Sequence, residues 1–502
     1  MLVVYAFIFA KFVVFLQSYI RREINLPTGP RRLPLLGNLH QIPTKNPWKV
    51  FQKWHEKYGP IISLRLGQRT VIIIGKYDVA HELLDKRREI YSSRPALIMN
   101  EKMTKGLHMA FMPYGERWKT HHSIHTAYLN ARMSHKYRNL QDMESKQLLC
   151  DIMNSDNIAS HFRRFSYSVS FALAHGKRLA ATDREILEVE HVTDQIVRIF
   201  HESGSALVEI FPMLNYLPRR WAKWKDMGEE FHQRVVRFYS SNMMGALQQK
   251  SWSWTKESLR LKSAQPLSAP ELAYVTGVLH SGNEVTQAVL GVFVMVCLLY
   301  PQAVHRAQEE LDQVVGLDRL PAFEDAPNLP YLRAFINEIL RWQSPTPMGV
   351  PHATSEDDQY LGYQIPKGTT ILVNHWVIDH DEDIFENAGE FQPERWLKNP
   401  KLPQISFGWG RRVCLGQHMG RNSLYVLISR LLWGFEVDSQ DDNRKKFIES
   451  WDMVQSLTSG PSSLKAMFRP RDPQKQRVME TAWETSEKDV DTILAEVWSV
   501  KK

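Results

Sequence analysis

The sequence predicts a single, mainly α-helical domain with small β-sheets, standing behind an apolar N-terminal segment. Three observations carry that expectation. The chain has 502 residues, 43% of them hydrophobic, which is ample for one large core, and residues 34–470 show no linker, internal repeat or low-complexity tract. Its apolar periodicity is mostly helical, broken by short strand-like runs such as TVIIIG (70–75) and TTILVN (369–374). A long, largely apolar stretch, 271–300, ends at Pro301 and reads as a buried helix with a polar knot in it.

Residues 1–20, MLVVYAFIFAKFVVFLQSYI, approach the length that crosses a bilayer, although Lys11 interrupts them. Arg21 and Arg22 follow, which favours a cytosolic side for the rest of the chain. No basic region precedes the segment and no small-x-small site ends it, so a cleaved signal peptide fits less well. A helix lying in the membrane interface is the competing reading. Residues 21–33 form a basic, proline-rich hinge, 34–470 the main domain and 471–502 a C-terminal tail. The run AVLGVFVMVCLLY (288–300) is too short for a second span and reads as a buried helix. The formal charge of +8 suits an anionic membrane or an acidic partner. It is not gathered in an arm or an aromatic-interleaved stripe, which argues against nucleic acid. No GxGxxG follows a strand, so nothing in the chain looks like a flavin or nicotinamide site.

Three cysteines occur, Cys150, Cys297 and Cys414, and an odd, scattered set suits reduced thiols rather than a disulfide framework. Cys414 lies in FGWGRRVCLG (407–416). Structural zinc needs four ligands, and only His418 is near. The helical spacing of Leu424, Leu427, Ile428 and Leu431 puts the cysteine just before a helix N-terminus, where backbone N–H groups and the helix dipole stabilise a thiolate. Gly408, Gly410 and Gly416 let the main chain turn tightly and approach a flat partner. Arg412 places a positive charge where an acidic group on that partner could sit. Together these features fit axial ligation of haem iron; a glycine-rich turn around a buried free cysteine is the alternative.

Glu338 and Arg341 in FINEILRW (335–342) share one helix face, which alone suggests a surface ion pair of little worth. In FQPERW (391–396), Arg395 follows a proline-punctuated turn and could close a triad with that pair. At this point the sequence resembles the cytochrome P-450 family of haem-thiolate monooxygenases, and looks most like the microsomal enzymes of filamentous fungi. Glu338–Arg341 matches the family's ExxR helix, Pro393–Trp396 its PERF-like turn, and Phe407–Gly416 its cysteine loop. The resemblance extends from LPTGPRRLPLLGNLHQ (26–41) to about residue 470.

It implies a cytochrome P-450-like domain in which Glu338, Arg341 and Arg395 lock the core. It implies a haem b cofactor with Cys414 as axial ligand and with Phe407, Gly410 and Arg412 around it. It implies a monooxygenase using O2 and electrons from NADPH-cytochrome P-450 reductase, docked over the cysteine side near Arg411 and Arg421. A single anchor in the endoplasmic reticulum membrane, with the catalytic domain in the cytosol, follows from the same likeness.

Two departures stand out. YGERWKTHHS (114–123) resembles the family's W-x-x-x-R element, whose tryptophan and arginine hold a haem propionate; Trp118 matches, but His122 replaces the arginine. Histidine titrates near neutrality while arginine stays charged, so His122 is expected to be a weaker partner, with more of the anchoring on Arg412. In the 271–300 helix, Ser281-Gly282-Asn283-Glu284-Val285-Thr286 aligns with the family's distal pattern. There Val285 replaces a threonine whose hydroxyl takes part in proton delivery. Thr286 does not simply stand in, because one helical residue turns the side chain by about 100°. Glu284, Thr286, ordered water or a substrate hydroxyl then becomes the proton source. The rivals are desaturation, ring formation or rearrangement without ordinary oxygen insertion, or a haem-binding protein without turnover.

Resemblance places the substrate beside 96–111, 209–218, 345–351 and 456–461. These segments are rich in Met, Leu, Ile and Phe, which suggests an apolar organic molecule, such as a terpenoid, polyketide or alkaloid intermediate of fungal secondary metabolism. The same side chains also suit plain core packing.

Overall fold

From Val289 to Leu298 the chain is apolar on every side, and a helix of that composition is stable only when surrounded. In the computed structural model this segment is the helix Asn283–Leu299, buried throughout that run. It packs against Ile158–His175, Pro330–Trp342 and Gln417–Gly434. The model describes residues 25–43, 45–201, 203–439, 453–455, 459–461 and 466–499. The apolar segment 1–20 and the first residues of the hinge lie outside them. Among the described residues, Ala269–Leu299 is the one helical stretch long and apolar enough to cross a bilayer, and its place in the core accounts for that composition.

Proline marks the starts of the neighbouring helices. Pro301 and Pro330 stand in the first turns of Pro301–Val315 and Pro330–Trp342, where a missing N–H costs no intrahelical bond. Ser268 caps the next helix upstream, Ala269–Gly277, by accepting from the Glu271 N–H.

Both strand-like runs become strands of one four-stranded sheet. Ile61–Leu66 pairs antiparallel with Arg69–Ile74, which pairs parallel with Thr370–Val373, which pairs antiparallel with His352–Ala353. Ile72, Ile74, Ile371 and Val373 form a smaller core with Leu84 and Trp409, so the sheet borders the cysteine loop directly.

Residues 471–499 differ from a tail. The helix Pro473–Glu484 buries Met479 in the main core, and Val490–Ser499 adds Ile493, Leu494 and Val497. Lys475 and Arg471 bind Asp312 on the Pro301–Val315 helix. A few well-placed apolar residues and one ionic cluster are enough to dock two weakly patterned helices.

Candidate active site

Glu338, Arg341 and Arg395 meet in the interior. The Arg341 guanidinium grips the Glu338 carboxylate with two bonds, Nε to Oε2 at 2.9 Å and Nη2 to Oε1 at 2.7 Å. Arg395 Nε donates to Oε1 at 3.0 Å, as does the Gln392 N–H at 2.9 Å. The Trp396 indole donates to Oε2 at 2.8 Å, a bond that a phenylalanine in the turn could not make. The spare N–H groups of both arginines end on the carbonyls of Asp379, Glu386, Asn387, Ala388 and Glu390. One buried carboxylate thus pins the whole 386–396 segment, since a buried charge must be fully paired to be tolerated.

That segment leads into the cysteine loop. Gly408 and Gly410 adopt φ of +80° and +53°; Gly416, at φ −78°, needs no such freedom. A Cβ on Gly410 would lie 2.2 Å from the Leu84 carbonyl oxygen, so the loop can press against Leu84 only with glycine there. Asp85 accepts from the Gly410 N–H at 2.7 Å, and Trp409 donates to His375 at 3.0 Å. The Cys414 N–H donates to the Phe407 carbonyl at 2.8 Å, closing the loop. The next helix begins at Gln417. Cys414 is exposed as a residue, yet its thiol lies deep among protein atoms. That depth raises its pKa, and the Gly416 N–H works the other way. Phe407 packs on the main core beneath the Arg421 guanidinium, 4.5 Å from the ring centroid. Arg421 is therefore half-buried and not a free surface cation. Arg411 pairs with Glu89 at 2.9 Å.

Arg412 has no acidic partner among the described residues. Its N–H groups reach the carbonyls of Ser92, Met109 and Met112, and its guanidinium stacks over Trp118 at 4.5 Å. Burial lowers its pKa to about 9. Arg94 and His352, which the sequence reading did not single out, stand nearby: burial and then Arg412 depress the pKa of Arg94, and burial and then Arg94 depress that of His352. His122 is half-buried, its ring 4.6 Å from that of Trp118, and burial and then Arg412 lower its pKa. Among the described residues, the buried Trp118 indole N–H has no partner. Among the described residues no carboxylate stands among these buried cationic or donor groups, a chemistry that suits an anion. With an accessible cysteine beside them, they fit a haem carrying two propionates.

A tight turn interrupts the distal helix: Val278–Gly282 is a 3-10 turn between Ala269–Gly277 and Asn283–Leu299. The polar knot divides there. His280 is buried, stacks on Phe171, and lies 3.0 Å from both Ser170 Oγ and His175 Nε2. Asn283 donates to Ser170 at 2.7 Å. These two side chains are bound to the neighbouring helix Ile158–His175. Glu284, Val285 and Thr286 are only partly buried. Glu284 stands near Tyr167, whose phenol pKa burial, and then Glu284, push upward. Val285 packs against the main core.

Two of the segments expected to face the substrate, 345–351 and 456–461, meet beside this helix. The Ser459 N–H donates to the Pro345 carbonyl at 2.8 Å, and Gly460 sits against Ala288, one turn beyond Val285; residues 456–458 lie outside the described residues. On the other side, Glu209 accepts from the Met99 N–H at 2.6 Å and pairs with Arg69 at 2.9 Å, joining 209–218 to 96–111. A cavity opens between Asn100–Phe111, the helices Arg184–His201 and Trp224–Gln248, and Ser281. The contributions of those two helices escaped the sequence reading, although Phe231, Val235 and Tyr239 recur at helical spacing.

Comparison with known proteins agrees with this geometry. The family model for cytochrome P450 matches residues 27–466. The cytochrome P450 monooxygenase peniB of Penicillium patulum is 42% identical over 97% of this chain and 92% of its own length. The monooxygenase FrzL of a Cladobotryum species is 41% identical over 95% and 93%, and aneD of Aspergillus aculeatus 42% over 96% and 95%. With an interior ExxR–Arg395 lock, a cysteine loop beside an anion receptor, and relatives aligned from end to end, this chain belongs to the cytochrome P450 family of haem-binding monooxygenases.

Proposed function

We propose that the chain inserts oxygen into a mainly apolar organic substrate of fungal secondary metabolism, with Cys414 as the residue that would hold the iron of haem b. The observation that carries the reading is the accessible Cys414 in a loop fixed at Phe407, Gly410 and Trp409, beside an Arg412 that lacks an acidic partner among the described residues. Haem bound there supplies the activation of O2. Arg412, Trp118 and His122, with Arg94 and His352 beside them, would hold its propionates. Val285 keeps its part of the distal face apolar and excludes water, while Glu284 and Thr286 are the near groups able to hold or pass a proton. NADPH-cytochrome P-450 reductase supplies the electrons from the cysteine side.

An anchor in the endoplasmic reticulum membrane by residues 1–20 completes the reading. Leu33, Leu35 and Leu36 are exposed at the end of the basic hinge, and the Gly67 turn links them to Ile210. Met213, Tyr216 and Trp221 are exposed beyond it, near Arg219 and Arg220. Apolar side chains rimmed by arginine suit a lipid surface.

The test is a carbon monoxide difference spectrum with NADPH and reductase. A thiolate-type band generated by the reductase is expected; a band obtained only with a chemical reductant refutes turnover. Deletion of the gene and comparison of metabolites then identifies the substrate, the expected product being one oxygen atom heavier. A second reading, desaturation, ring formation or rearrangement, is favoured by Val285 and predicts a product differing by hydrogens or by rearranged bonds.

A further inference from the structure

Tyr239 and Tyr274 line the cavity beside the distal helix, their rings edge to face at 5.1 Å and 89°. Both residues are buried, at 6% and 1% exposure. Among the described residues neither hydroxyl has a hydrogen-bond partner, and buried phenols ordinarily find one. Burial raises both phenol pKa values, so both remain O–H donors at neutral pH. The arrangement is built rather than incidental, because a Cβ on Gly277 would lie 2.3 Å from the Tyr239 ring; glycine there lets the ring lie flat against the helix.

The rest of the lining narrows what could satisfy these donors. Among the described residues, no Asp, Glu, Lys or Arg lines the cavity. His108, on the opposite wall, is held neutral by burial, with its pKa near 4. The remaining walls are mostly apolar, with Met103, Phe111, Val192 and Phe231 among them.

We propose that Tyr239 and Tyr274 hold a neutral, oxygen-bearing end of the substrate, with its apolar body among Met103, Phe111, Val192 and Phe231. The substrate class is then an uncharged, mainly apolar molecule with a carbonyl, ether or hydroxyl oxygen at one end. This rests on the reading of the chain as a monooxygenase of organic molecules, and it replaces a wholly apolar substrate with one that has a polar end.

The experiment measures binding of fluorene and 9-fluorenone, which differ by one carbonyl, to the haem-loaded protein by equilibrium dialysis. A preference of about tenfold for 9-fluorenone is expected, the worth of a hydrogen bond to an otherwise unpaired buried donor. In the double variant Tyr239→Phe/Tyr274→Phe the preference should vanish, and each single variant should fall between. Phenylalanine keeps the rings, and the carbon monoxide spectrum checks the fold of each variant and tests the monooxygenase reading separately. Equal binding of the two probes, binding of neither, or a preference that survives in the double variant would overturn the proposal.

Discussion

Replacing Glu338 with glutamine changes one atom and tests the whole proximal frame. The carboxylate accepts three N–H groups on Oε1, from Arg341, Arg395 and Gln392, and two on Oε2, from Arg341 and Trp396. An amide can turn its NH2 to either side, and on either side it meets donors. At the least, two bonds are lost and two buried guanidinium groups have no anion. Breaking a buried pair in this way costs about 3–5 kcal/mol, a large part of the roughly 5–15 kcal/mol that holds a folded domain together. Trp396→Phe removes one donor and leaves the charges paired, costing about 1 kcal/mol. The assay is the amount of thiolate-type carbon monoxide band per protein, with the temperature of half-loss of that band. Glu338→Gln should lose most of the band, or lower that temperature by at least about 5 °C, while Trp396→Phe shifts it little. Near-natural band and temperature in Glu338→Gln would refute the idea that this carboxylate holds the cysteine loop in place.

Other outcomes follow from the same geometry. Gly410→Ala, which puts a Cβ against the Leu84 carbonyl at positive φ, should cut the haem content by more than half; Gly420→Ala, with open space around it, is the control. His122→Arg should slow haem loss to an acceptor protein, because a permanent charge replaces a ring whose pKa is lowered by burial. Val285→Thr should change the peroxide released per NADPH consumed, and unchanged coupling and product would mean that the position is not decisive. Glu144 binds Arg164, Arg178 and Ser168 far from the cysteine loop. Burial pushes its carboxyl pKa up, but the two arginines outweigh that and hold it below the ordinary range. Its stabilisation is therefore complete above the ordinary carboxylate pKa and is lost as pH falls through the lower folded value. Glu144→Gln should lower the unfolding temperature at pH 7, shrink the acid dependence, and leave the carbon monoxide spectrum of the folded fraction unchanged.

What was legible in the sequence was whatever one short stretch settles by itself. Glu338 and Arg341 are three residues apart on a helix, and the strands 69–74 and 370–373 show in their own composition. Partners brought together by the fold were not legible. Arg94 and His352 reach the neighbourhood of Arg412 from distant loops, and a lone arginine or histidine carries no spacing signal. Tyr239 and Tyr274 meet across two helices for the same reason. His280 shows what only the fold supplies: in the sequence it is a polar residue on an apolar helix, while Ser170 and His175 on the neighbouring helix bind both its nitrogens. The segment 471–499 reads as a tail because its apolar residues are few; its docking depends on where Met479, Ile493 and Leu494 land.

The same division bears on Val285. A kinked distal helix can be held open from within, by a hydroxyl that bonds its own backbone, or from outside, by another element. Here Ser281 Oγ donates to the Val278 carbonyl at 2.7 Å, inside the tight turn. His280 and Asn283, either side of Gly282, are tied to Ser170 and His175 on Ile158–His175. The turn therefore has its supports without a hydroxyl at residue 285. Valine nearly matches threonine in shape, so restoring threonine should leave the helix where it is. A change in coupling on Val285→Thr would then report on the supply of protons rather than on the path of the backbone. His280→Phe separates the two, because it loosens the outside support while leaving residue 285 as it is. If it disturbs coupling as Val285→Thr does, the tight turn governs proton supply; if only Val285→Thr acts, the missing hydroxyl does.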